Sequence, residues 1–168
     1  MKRIILLIVL CLTSLSLAQG GKPSTPEERQ RAVQIAQKLE SNPLDEALRP
    51  DREWLLKWAA EASDFTVSIC ASHGEYKKKF KYGPEVTFQK MASAIAFIVQ
   101  HPDQQADKTA QELAAVQGAL KAYQAILKAN PKGHSEYWDG LLEKQSSGTL
   151  KDFVGDYVAS DCSEKSKT

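Results

Sequence analysis

Six of the seven prolines in this 168-residue chain stand at the edge of an apolar stripe that repeats every three or four residues. That punctuation constrains the fold more than any other feature, because proline is accepted in the first turn of a helix and expelled from its interior. Thr25-Pro26-Glu27-Glu28 opens the first stripe: Thr25 can cap, Pro26 takes the first helical position and Glu28 closes a capping box. Ala32, Val33, Ala36 and Leu39 follow at helical spacing until Ser41-Asn42-Pro43, and Leu44, Ala47 and Leu48 suit one short turn. Pro50-Asp51 starts the second stripe, in which Trp54, Leu55, Trp58, Ala59 and Ala62 share a face and the two tryptophans anchor a core. Pro84 begins the most hydrophobic segment. Phe88, Met91, Ala92, Ile95, Ile98 and Val99 form one face, Ala94, Ala96 and Phe97 spread the apolar surface, and His101-Pro102 ends the run. A helix apolar on nearly all sides belongs at the centre of a fold.

From about Gln104 to Ala129 an alanine-rich helix is expected, with Leu113, Val116, Leu120, Tyr123 and Leu127 in 3-4-3-4 spacing, until Asn130-Pro131-Lys132-Gly133 breaks it. Tyr137, Trp138, Leu141 and Leu142 mark a further helix closed by Gly148, and Thr149 to Asp152 restart a last one carrying Leu150, Phe153, Val154, Tyr157 and Val158. Phe65, Val67 and Ile69 alternate like a strand, but no second strand-like run exists to pair with them, so helix or extended loop is the better reading. Residues 119–131 look like the second helix of a tetratricopeptide repeat, yet nothing recurs at a spacing of 34 residues and no family follows. The expected architecture is an all-α, single-domain bundle of five to six amphipathic helices.

Lys2 and Arg3 precede the apolar run from Ile4 to Leu12, and Ser16 and Ala18 supply small residues before Gln19. This is the layout of a cleaved secretory signal, too short for a comfortable membrane span. The expected division is therefore a signal peptide over 1–18, a flexible start over 19–24, a helical domain over 25–162 and a disordered tail over 163–168. Export implies a secreted protein, most simply of the bacterial periplasm, with no transmembrane segment after cleavage. Cys11 leaves with the signal, so Cys70 and Cys162 remain and should form one disulfide in an oxidising compartment. Removing Lys2 and Arg3 leaves 20 basic against 21 acidic side chains, a balance without the field that attracts nucleic acid.

Candidate chemistry is sparse. His73, His101 and His134 are each followed two residues later by a carboxylate, a weak pattern for a metal ion because residues two apart on a helix do not face one way. Tyr76, Lys77, Lys78, Lys79, Phe80, Lys81 and Tyr82 interleave four lysines with three aromatics and form the candidate partner surface, for an envelope or extracellular protein or an anionic surface. No nucleophile elbow, zinc-protease motif, dinucleotide fingerprint or Walker loop occurs, and no catalytic residue or cofactor is assigned. The sequence thus points to a non-enzymatic binding or structural module. The alternatives are a carrier of a small ligand or metal, and third a cell-envelope hydrolase.

Overall fold

Helix α1 (Pro26–Ser41) begins with the capping box in place: Glu28 N–H donates to Thr25 Oγ1 at 3.2 Å and Thr25 N–H donates to Glu28 Oε2 at 2.9 Å. The computed structural model describes residues 21–70 and 79–162. After α1 a single 3-10 turn (Glu46–Leu48), capped by Asp45, leads directly into α2 (Arg49–Glu61), with Pro50 in its first turn. Helix α3 (Gly83–Gln100) is the central apolar helix. Helix α4 (Lys108–Ala129) starts four residues later than the composition suggests, since Pro102–Gln104 form a separate 3-10 turn and Asp107 caps Ala110 N–H at 2.9 Å. Helices α5 (Glu136–Ser146) and α6 (Leu150–Asp161) complete the bundle, joined through Gly148 at φ +77°, a conformation that strains any residue with a Cβ.

The protein is an all-α bundle with one disulfide, Cys70–Cys162, whose Cα atoms are 5.7 Å apart. Among the described residues the only β-type pairing is an isolated parallel bridge between Lys22 and Ala62. None of the described helices is long and apolar enough to cross a membrane.

Two apolar cores fill the bundle. One gathers Ala32, Ile35 and Leu39 of α1, Leu55 and Trp58 of α2, Phe65, and Ala92, Ile95 and Val99 of α3. The other gathers Val116, Leu120, Tyr123 and Ile126 of α4 with Trp138, Leu141, Val154 and Tyr157 of α5 and α6. Of the paired tryptophans, Trp58 is buried, while Trp54 stacks on it at 5.4 Å and is covered from outside by the Arg31 guanidinium at 4.0 Å. The buried stripe of α4 is turned from the expected one. Ile126 takes the core position and Leu113 and Leu127 lie at its edge, because α4 packs on both α3 and α6 and the alanines allow the closer approach.

Between the cores runs a polar seam. All five buried polar or charged side chains of the described residues, Gln89, Lys90, Ser93, Gln111 and Glu112, lie on α3 and α4. Gln89 Nε2 donates to Ala36 O and to Ser93 Oγ, and Gly118 faces Ser93 at a distance that excludes a side chain. At one end of the seam Lys90 Nζ meets Glu112 Oε1 at 2.8 Å, both essentially inaccessible to water. Removing either partner of such a pair leaves an uncompensated buried charge, a cost of about 3–5 kcal/mol.

Candidate binding groove

The chain that follows α2, as far as Cys70, forms no helix, and its two ends are held by different means. At the start, Ser63 N–H donates to Lys22 O, and the Asp64 carboxylate accepts from Ser24 N–H, Ser24 Oγ and Arg29 Nη2. Partial burial alone would raise the Asp64 pKa, but the hydrogen bonds from the Ser24 side chain, Arg29 and the Ser24 amide outweigh it and hold the carboxyl at about 2. At the far end, Cys70 N–H donates to Glu112 Oε2 at 3.0 Å, Cys70 O accepts from Lys90 Nζ at 2.5 Å, and the disulfide adds a covalent tie. Phe65 goes inward against Trp58 at 5.2 Å.

The backbone between these anchors has few partners. Ser68 N–H reaches Gln111 Oε1 at 3.5 Å, whereas the N–H groups of Thr66, Val67 and Ile69 make no hydrogen bond to another described residue. Beside this edge lies a groove of about 420 Å³, lined by Leu56, Ala59 and Ala60 of α2, by Phe65, Val67 and Ile69, and by Met91 and Ile95 of α3. Leu56 (46% exposed) and Ile69 (40%) are the two large apolar side chains left in water among the described residues. The site thus combines apolar walls with a main-chain edge that is unpaired among the described residues.

Of the residues singled out in the sequence, Cys70 and Cys162 are bonded to each other. Phe80 and Tyr82 pack on the second core, Phe80 edge-on to Tyr123 at 5.8 Å, while Lys79 and Lys81 stay exposed. Two of the three aromatics of that stretch therefore serve packing rather than a contact face. Tyr76, Lys77, Lys78 and His73 lie outside the described residues, as do the segments 1–18 and 163–168. His101 is exposed at the end of α3, its ring 4.8 Å from that of Phe97. His134 bonds not to Glu136 but to Asp139, with Nδ1 3.2 Å from both carboxylate oxygens. Asp139 also accepts from Tyr123 Oη at 2.7 Å, and that hydroxyl accepts Ser135 N–H at 2.8 Å, which ties α4 to the start of α5. Burial first, and then the Asp139 acceptor, raise the Tyr123 pKa well above the usual tyrosine range. Among the described residues no three His, Cys, Asp or Glu side chains converge to hold a metal ion.

Sequence reasoning missed both the groove and the buried ion pair, though each left a trace. Leu56 is the large apolar residue of α2 that stands off its core stripe. Lys90 is the single charge between Val86 and Val99, and Glu112 the single charge between Thr109 and Leu120. Comparison with protein-family models, curated proteins and solved structures gives no match for this chain.

Proposed function

We propose that this is an exported, non-enzymatic binding module whose groove receives an extended apolar stretch of a partner polypeptide. The observation that carries the reading is the pair of amides on one side of the chain, Val67 and Ile69, which have no hydrogen bond to another described residue and stand beside apolar walls. An acyl chain would use the walls and leave those amides idle. A polypeptide uses both, pairing its main chain with the edge and placing alternate side chains in the groove, the logic of strand addition. Pinning at Asp64 and Cys70 fixes the edge before the partner arrives, which lowers the ordering cost of binding. Export rests on the basic n-region and apolar run of residues 2–12. A contact face on Lys79 and Lys81 has less behind it, because the aromatics beside them are turned inward.

The test is amide chemical-shift mapping with a short capped peptide of alternating Val and Thr, with the same peptide N-methylated at alternate amides, and with dodecanoate. Shifts at Val67 and Ile69 with the first probe alone are the expected result. Leu56→Glu, an exposed substitution, should weaken that binding at least tenfold with the helical circular dichroism unchanged. Equal response to the methylated peptide, or saturation by dodecanoate, would replace main-chain recognition by simple apolar binding.

A further inference from the structure

The disulfide and the buried ion pair are parts of one arrangement. Glu112 holds the N–H of Cys70 through Oε2, and Lys90 holds the carbonyl of the same residue. The other oxygen of Glu112, Oε1, accepts from the Tyr157 hydroxyl as well as from Lys90. Tyr157 lies on α6, five residues before Cys162. One carboxylate thus grips the main chain of one cysteine and the helix that carries the other. None of these bonds involves sulfur, so none depends on the bridge being closed.

We propose that Lys90, Glu112 and Tyr157 form a template that keeps Cys70 and Cys162 facing each other when the bridge is open, so that the pair behaves as a rapidly reclosing thiol couple that external thiols enter at Cys162. The point of entry follows from burial: Cys70 is only 7% exposed, whereas Cys162 is half-buried near the end of α6. A small thiolate such as glutathione attacks Sγ of Cys162, and the S–S electron pair leaves on Sγ of Cys70, which takes up a proton from water. Reclosure reverses this: the Cys70 thiolate attacks Sγ of Cys162 in the mixed disulfide and expels the glutathione thiolate, with no net oxidation. Full reduction needs a second glutathione thiolate to attack the glutathione sulfur of the mixed disulfide. It frees Cys162 as a thiolate and forms oxidised glutathione. Held groups react intramolecularly at effective concentrations far above those of chain ends meeting by diffusion. The template therefore favours the closed form by holding the thiols together, beyond what the chain connection supplies.

The experiment equilibrates the folded protein with mixtures of reduced and oxidised glutathione, quenches with acid and counts closed, mixed and open species by mass. Tyr157→Phe removes one hydroxyl, and Glu112→Gln keeps the shape while removing the charge. Each should lower the closed-to-open ratio, Glu112→Gln by about tenfold or more, in protein that remains helical. If Glu112→Gln fails to fold, Tyr157→Phe alone decides. Tyr123→Phe, which breaks the tie between α4 and α5 and touches none of the three template residues, is the control for general destabilisation and should leave the ratio unchanged. Peptide mapping should place glutathione on Cys162. Equal ratios in wild type and Tyr157→Phe, a ratio moved as far by Tyr123→Phe, or glutathione on Cys70 would overturn the proposal.

Discussion

Replacing Gly118 with alanine sets two physical effects against each other, and the structure says which should win. Gly118 is in the middle of α4, where alanine is favoured over glycine by about 1 kcal/mol on intrinsic helix propensity. A Cβ built there would lie 1.8 Å from Ser93 Oγ, 2.5 Å from Ser93 Cβ and 3.1 Å from Glu40 Oε1. The Ser93 hydroxyl can rotate away, at the loss of its bond to Gln89 Nε2, worth about 1 kcal/mol. The Ser93 Cβ cannot move without α3. Restoring ordinary contact at 3.4 Å or more requires α3 and α4 to part by about 1 Å along their main interface. Overpacking of this kind costs about 1–3 kcal/mol. The balance is a net loss of about 2 kcal/mol, or roughly 4–8 °C in melting temperature for a domain of this size. Urea unfolding followed by far-ultraviolet circular dichroism reads it directly, with the slope unchanged if the denatured state is unaffected. Adding Ser93→Gly to Gly118→Ala removes both clashing atoms and should restore part of the loss. Should Gly118→Ala prove neutral or stabilising, the close approach of α3 to α4 at this point would be refuted.

Three further outcomes follow from contacts already described. The folded pKa of Asp64 lies below its unfolded value, so its clasp with Ser24 and Arg29 is fully present above about pH 4 and is lost as pH falls toward 2. Allowing for solvent screening of a partly exposed pair, this is worth about 1 kcal/mol, and the stability gap between wild type and Asp64→Asn should close between pH 5 and pH 2. Tyr123 titrates above its unfolded value, so its contribution holds below about pH 10 and fades above it; Tyr123→Phe should cost about 1–2 kcal/mol at neutral pH by leaving Ser135 N–H without its acceptor. Replacing Cys70 and Cys162 together with serine opens a loop between residues 92 apart, and denaturant midpoints should fall by an amount equivalent to about 4–5 kcal/mol.

Helix placement was legible because its determinants are local. The capping box at Thr25 and Glu28, the proline starts of α2 and α3 and the glycine after α5 act within a few residues of the chain, and the pairing of Cys70 with Cys162 needed only a count. The ambiguity of 65–69 had a physical basis too. Its alternation is that of a strand, but the segment is held by side chains at both ends and has no neighbouring strand among the described residues, so it forms no ladder with them. What could not be read was which distant residues meet. His134 takes Asp139 rather than Glu136 because α5 turns that carboxylate back toward α4 and Tyr123. Lys90 and Glu112 are each unremarkable on their own helices and become a buried pair only when α3 lies against α4. The groove is likewise made by three segments, none of which announces it alone.

The tie between Cys70 and Cys162 also decides how the molecule would bear tension. A pull on the two ends of the described chain passes through the sulfur link, so α3, α4, α5 and α6 all lie off the line of load. Only the stretch from Gly21 to Cys70 can be drawn out while the link holds, and the 92-residue span behind it, about 300 Å of contour, stays hidden. Because the groove edge belongs to the loaded stretch and its floor on α3 to the shielded one, stretching would peel one wall of the groove away from the other.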